Sequence, residues 1–216
     1  MLADLTFAVD VIKDYAADDA TIEQILKDRE KYPFRVAVVE TLNKIRAKWT
    51  PGPGAIRFRS ELSGPQNDRL KVQIKKEQED LALAIIELEL RWAALESVAE
   101  KRDKEPKRWQ AHYDFAAASL KARLAYLNEY NKLLGNIVTE TLPALDAKLA
   151  QDGWVLVASD TFKSGKSTKK MADDARVLFA ELAVKHKGTP WAVQAKQEQA
   201  VELGLTWKAA SLKGGK

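Results

Sequence analysis

From Gln66 to Arg102 this chain contains neither proline nor glycine, and Leu81, Ile85, Leu88, Trp92, Leu95 and Ala99 recur along it at a 4-3-4-3-4 spacing. That period is the seam of a coiled-coil-like helix, with Glu77, Glu79, Glu87, Glu89 and Arg91 on its other faces. A helix of this length with one apolar stripe needs a partner, because packing rather than propensity supplies most of the stability of a helix. The partner follows at once. Lys101 to Arg108 reads as a polar turn, in which Pro106 keeps Glu105 out of the helical region. Trp109, Tyr113, Ala116, Leu120, Leu124, Leu127, Asn131, Leu134 and Val138 then repeat at 4-3-4-4-3-4-3-4. Two apolar-striped helices joined by a short turn are antiparallel neighbours. The spacing therefore predicts an all-α fold around a long antiparallel helical hairpin, with flanking helices and a C-terminal helix pair. Asn131 on the seam is expected to cost stability and to fix register. Gly135 weakens the second helix and Pro143 ends it.

Residues 1–50 read as N-terminal helices. Leu5, Val9 and Ile12 share one face, Ile22, Ile25 and Leu26 a second, and Val38, Val39, Leu42 and Ile45 a third. Asp19 is the expected N-cap of the second helix, and Pro33 opens the third. Residues 51–65 form a Pro/Gly linker, because Pro51, Gly52, Pro53 and Gly54 stop any helix. Within it, Ala55 to Leu62 alternates apolar and charged residues as a short extended segment does. The hairpin region spans 66–150. Residues 151–210 hold a strand-like run, Gly153 to Val157, then a basic loop from Ser159 to Lys170 and the C-terminal helix pair. Thr189 caps the last helix, with Pro190 in its first turn. Residues 211–216 read as a frayed tail.

Composition removes several chemistries. The chain has no cysteine, which excludes disulfides, thiolate metal sites and a cysteine nucleophile. It has two histidines, His112 and His186, so a histidine-rich metal site is not expected. The net charge of +4 comes from 35 basic and 31 acidic side chains, largely interspersed; it permits an anionic partner without requiring one. Asp4 and Asp10 interrupt the start, so no signal peptide is read and a cytoplasmic location is expected. No membrane span is expected, since no run nears the ~18 apolar residues it requires.

Few residues suggest chemistry. Ser164-Gly165-Lys166-Ser167-Thr168 follows a strand-like run and precedes a helix, as a phosphate-cradling loop does. The full pattern wants glycine at position 160, where Asp160 stands, so the reading preferred is a solvated basic loop. Lys101, Arg102, Lys104, Lys107 and Arg108 cluster at the hairpin tip, offset by Asp103 and Glu105. Together with Lys166, Lys169 and Lys170 they are the candidate anion contacts. The simpler account of the tip is an exposed turn with cations near a helix C-terminus. His112 has Arg108 and Ala116 four residues to either side and reads as a packing or surface residue rather than a ligand. Glu87, Glu89 and Glu96 read as a charged helix face, because the Glu-x-x-His pattern of di-metal bundles is missing. Of the six tryptophans, Trp191 and Trp207 are the candidate partner contacts.

Two stretches carry a resemblance. One is Glu105-Pro106-Lys107-Arg108-Trp109-Gln110-Ala111-His112-Tyr113-Asp114-Phe115, continued by Leu120 to Asn131. The other is His186-Lys187-Gly188-Thr189-Pro190-Trp191-Ala192, with Leu203-Gly204-Leu205-Thr206-Trp207. Both are similar to the helical C-terminal region of large planctomycete-type bacterial proteins with a von Willebrand factor type A domain. The second also resembles the end of a tetratricopeptide-like helix pair. The likeness covers about residues 33–208. The Asp-x-Ser-x-Ser motif of the type A domain is not in this chain, so no metal-binding residue carries over. The resemblance implies an interaction or scaffold region.

The expected function is thus a non-enzymatic helical interaction or assembly module, with a protein partner or self-association and no cofactor. The first alternative is an anion- or nucleic-acid-binding protein acting through the tip and the 163–170 loop. The second is an enzyme whose site the sequence does not reveal.

Overall fold

The computed structural model describes residues 7–17, 20–48, 57–59 and 65–212. In chain order these form α1 (Val9–Lys13), α2 (Ile22–Lys27), α3 (Pro33–Lys48), β1 (Arg57–Arg59), α4 (Pro65–Glu96) and α5 (Lys107–Val138). There follow β2 (Gly153–Ser159), α6 (Lys166–Lys185), α7 (Pro190–Gln199) and β3 (Gly204–Ala210). A 3-10 segment, Ala99–Lys104, joins α4 to α5. The fold is mainly helical, but not purely so, because the three strands make an antiparallel sheet in the order β1-β2-β3. No helix among the described residues is long and apolar enough to cross a membrane. Leu5, Asp19, the Pro/Gly run and most of the 55–62 segment lie outside the described residues.

The chain divides into two compact units, 1–48 with 87–123 and 173–201, and 49–86 with 124–172 and 202–216. In the first unit, Thr21 rather than Asp19 caps α2. Its hydroxyl accepts from the Gln24 amide at 3.2 Å while the Gln24 side chain accepts from the Thr21 amide at 2.8 Å, a capping box. Pro33 opens α3 as expected, and α3 buries Phe34, Val38, Val39 and Ile45. Phe34 stacks on Tyr113 of α5, ring centroids 5.2 Å apart. Tyr113 donates to the Leu95 carbonyl at 3.4 Å, tying the end of α4 to the start of α5. Phe179 and Leu182 of α6 are buried, and the Phe179 ring meets Phe115 at 6.1 Å. The C-terminal helix pair thus docks on this chain's own α5. Lys121, on a face the heptad spacing assigns to solvent, instead lies over the Trp92 ring at 4.7 Å and pairs with Asp174 at 3.1 Å.

The buried positions of α4 are Ile74, Leu81, Ala84, Leu88 and Leu95, followed by Val98. Leu81, Leu88 and Leu95 are as the spacing predicts. Ile85 and Trp92 are half-buried and Ala99 is exposed. The helix ends at Glu96, and in the turn that precedes the 3-10 segment Val98 is buried in place of Ala99.

In the second unit, Gln78 of α4 donates to both the carbonyl and the side-chain oxygen of Asn131, each at 3.1 Å. Asn131 therefore has a cross-helix partner. One residue earlier on each helix, Tyr130 donates to Glu77 at 2.6 Å. Burial, with Glu77 beside it, pushes the Tyr130 hydroxyl well above the ordinary phenol range. In the sheet Phe58 pairs with Trp154 and Leu156 with Trp207. Leu205 and Trp207 point inward while Lys208 is exposed, the period-2 pattern of a strand. Where the sequence reading placed the end of a helix pair, residues 204–210 are therefore an edge strand. Gly204 is required there, because a Cβ would lie 2.5 Å from the Ser159 and Thr161 carbonyl oxygens.

Candidate functional site

The tip cations do not form a free patch. In the first unit, Arg102 donates through Nε and Nη2 to the two carboxylate oxygens of Asp114, at 2.6 and 2.5 Å, and through Nη1 to Asp103 at 2.6 Å. Lys107 pairs with Asp14 at 2.5 Å, and Arg108 reaches the Tyr15 carbonyl at 3.4 Å. Lys101 and Lys104 are exposed. Of the five cations singled out by sequence, three are thereby held by groups of the chain itself. Asp114 also accepts from His186 Nε2 at 3.1 Å, and His186 Nδ1 lies 2.9 Å from the Tyr15 hydroxyl. Burial works to raise the Asp114 carboxyl, but hydrogen bonds from Arg102 and His186 outweigh it and hold the group below the usual carboxylate range. An ionised carboxylate only accepts, so Nε2 carries a hydrogen, and in the neutral imidazole Nδ1 accepts a hydrogen bond from the Tyr15 hydroxyl. Tyr15, His186, Asp114 and Arg102 form a continuous polar chain that ties α1, the end of α6 and α5 together.

The basic loop belongs to the second unit. Glu129 is fully buried in α5, and its carboxylate accepts from the Lys163 amide at 2.7 Å, from the Ser164 amide at 2.8 Å and from the Ser164 hydroxyl. Two backbone donors that a phosphate-cradling loop would present to its ligand are thus given to an internal carboxylate. Lys166, Lys169 and Lys170, expected in a loop, instead lie in the first two turns of α6, where they are exposed. The tip and loop cations lie in different units.

Trp207, a candidate partner contact by sequence, is buried at 4% exposure, and its indole N–H donates to the Leu133 carbonyl at 2.9 Å. Placement on a strand with one inward face removes it from the surface. Trp191 is half-buried; it donates to His112 Nδ1 at 3.3 Å and stacks on Tyr15 at 5.6 Å. His112 packs between Trp109 and Trp191, which accords with its reading as a packing residue. Burial, followed by the charges of Arg108 and Arg46, pushes its pKa down to about 4, so the ring is neutral at pH 7. With Nδ1 accepting from Trp191, the hydrogen sits on Nε2.

Beside this imidazole a groove of about 310 Å³ opens in the first unit. Ile22 comes from α2, Val39, Leu42, Asn43 and Arg46 from α3, and Trp109 and His112 from α5. Successive turns of α3 supply its apolar wall and its polar rim. Trp109 is held in place by Arg35, whose guanidinium lies 5.2 Å from the ring centroid and pairs with Glu105 at 2.9 Å. The groove has an apolar floor, a neutral imidazole and a cationic edge. No cluster of three or more metal-ligating side chains occurs among the described residues.

Sequence reasoning missed Asp114, His186, Tyr15, Glu129 and the groove. A signal for two of them existed. Asp114 and Glu129 are acids on α5 flanked by apolar and aromatic residues, Tyr113 and Phe115 in one case, Tyr130 in the other. A lone acid on a helix that is apolar on several faces needs a buried donor. Set against known proteins, the chain matches no family model, no curated protein and no solved structure.

Proposed function

We propose that this chain is a non-enzymatic helical interaction module that docks a short protein segment carrying an apolar anchor next to a carboxylate. The groove floored by Val39, Leu42, Trp109 and His112 and edged by exposed Ile22 and Arg46 carries the reading. An apolar side chain seated against a rigidly held tryptophan is the usual energetic centre of an interface. Arg46, exposed at the rim, selects an acidic neighbour and repels a basic one. The field of Arg46 and Arg108, already felt by His112, favours the same sign of partner. The likeness to the helical region of type A domain proteins supports an interaction role of this kind. The competing reading, an anion or nucleic-acid contact through the tip and the 163–170 loop, is weakened because Arg102 and Lys107 direct their charge to Asp114 and Asp14, and because the Lys163 and Ser164 amides are taken by Glu129.

Selection of random displayed peptides on the full chain tests this. Enriched peptides should share an apolar residue beside Asp or Glu, and should bind Arg46→Glu at least tenfold more weakly. Peptides without an acidic residue, or with unchanged affinity for Arg46→Glu, would refute the groove as the docking site. Arg46 is exposed, so circular dichroism should confirm that the variant is folded.

A further inference from the structure

In the second unit a cleft of about 440 Å³ opens beside α5. Its volume falls in the range of roughly 300–1,000 Å³ typical of small-molecule sites. Asn128, Asn131, Lys132, Gly135 and Asn136 line it from α5, at positions i, i+3, i+4, i+7 and i+8, which share one helical face. Gln78 of α4 completes the wall, and Ser164 and Thr168 close the side formed by α6 and the loop before it. The described lining residues are carboxamides, hydroxyls, one ammonium and a glycine, with no carboxylate.

Internal bonds orient these amides. Gln78 Nε2 is engaged by Asn131, which leaves Gln78 Oε1 as an acceptor and Asn131 Nδ2 as a donor. Asn128 Nδ2 donates to the Leu124 carbonyl at 2.8 Å, leaving its Oδ1 as an acceptor. Acceptors and donors are thus fixed before any ligand arrives, which lowers the entropy cost of binding. Gly135 adds an independent observation. Its φ is not positive, so the backbone does not demand glycine. A Cβ there would meet Gln78 Nε2 at 3.7 Å, an ordinary contact, so packing would admit alanine, the better helix former. The space that the glycine leaves open belongs to the cleft.

We propose that this cleft binds a small acidic carbohydrate, a sugar carrying one carboxylate. A sugar hydroxyl both donates and accepts, and a carboxamide offers both partners. Lys132 supplies the charge for the carboxylate.

Calorimetric titration of the full chain with glucuronate, galacturonate, glucose and acetate tests it. At least one of the two sugar acids should bind saturably in the millimolar range, the neutral sugar at least fivefold more weakly, and acetate without saturation. Gly135→Ala should raise the denaturant midpoint while weakening the sugar acid about tenfold. Lys132→Gln should bring sugar acid and neutral sugar to the same affinity. Three results overturn the proposal: no saturation with either sugar acid, acetate binding equal to the sugar acids, or sugar-acid affinity unchanged in both Gly135→Ala and Asn136→Ala. Equal affinity for neutral and acidic sugars in the unaltered protein overturns the acidic-sugar assignment and with it the role of Lys132.

Discussion

Arg102 grips Asp114 through one edge of its guanidinium, Nε on one carboxylate oxygen and Nη2 on the other, from the turn that joins α4 to α5. The carboxylate oxygen taken by Nη2 also accepts from His186, so one acid neutralises a cation and orients an imidazole from a distant part of the sequence. Removing it leaves three N–H groups, two on Arg102 and one on His186, without their acceptor.

Asp114→Asn should therefore be strongly destabilising. Deleting one partner of a fully buried pair costs about 3–5 kcal/mol; this pair is part-buried and Arg102 retains Asp103, so the cost should lie at or below the lower end of that range. Asp103→Asn, at an exposed position, should cost under ~0.5 kcal/mol. Denaturant midpoints for the two variants decide the matter, and equal shifts would show that the grip is not structural. Acid adds a second readout. The folded Asp114 pKa lies below the unfolded one, so its stabilisation is complete above about pH 4 and is lost as the pH falls through the folded value. Asp114→Asn should lack that portion of the acid sensitivity.

His112 acts in a higher window. Its pKa falls from 6.5 in the unfolded chain to about 4 in the fold. The unfolded state therefore binds the proton first, and stability should drop as the pH falls from 6.5 toward 4, by up to about 1.4 kcal/mol per pH unit. His112→Gln should flatten this portion of the stability profile. Chemical unfolding at half-unit pH steps measures it, and identical slopes in the two proteins would contradict a buried neutral ring.

Glu129 fastens the loop before α6. Glu129→Ala leaves the Lys163 and Ser164 amides without their acceptor, and a buried unpaired donor costs about 1–3 kcal/mol. Hydrogen exchange at those two amides should accelerate well beyond the global change. Exchange that stays as slow as in the unaltered protein would mean the loop is held by something else.

The long helices and much of their buried stripe were legible in the sequence, because a 3.5-residue apolar period has one physical interpretation on a helix. Leu81, Leu88 and Leu95, and Leu120, Leu124, Leu127 and Leu134, are buried as the spacing predicts. Pro33 and Thr189 open and cap helices from local chemistry alone. That α5 is enclosed on several faces was also readable, from its run of alanines and aromatics, but a search for a single seam passes over it.

What the sequence could not decide is what lies opposite each side chain. Residues 204–210 become a strand because β2 offers a hydrogen-bonding edge, and this buries Trp207. Arg102 and Lys107 look like free cations until the fold brings Asp114 and Asp14 to them. His186, Tyr15 and Asp114 are remote in sequence and meet in space. Local propensity and periodicity act over a few residues and are written in the chain. Ion pairing, burial and the shape of a groove depend on contacts between distant segments, and only the tertiary structure supplies those.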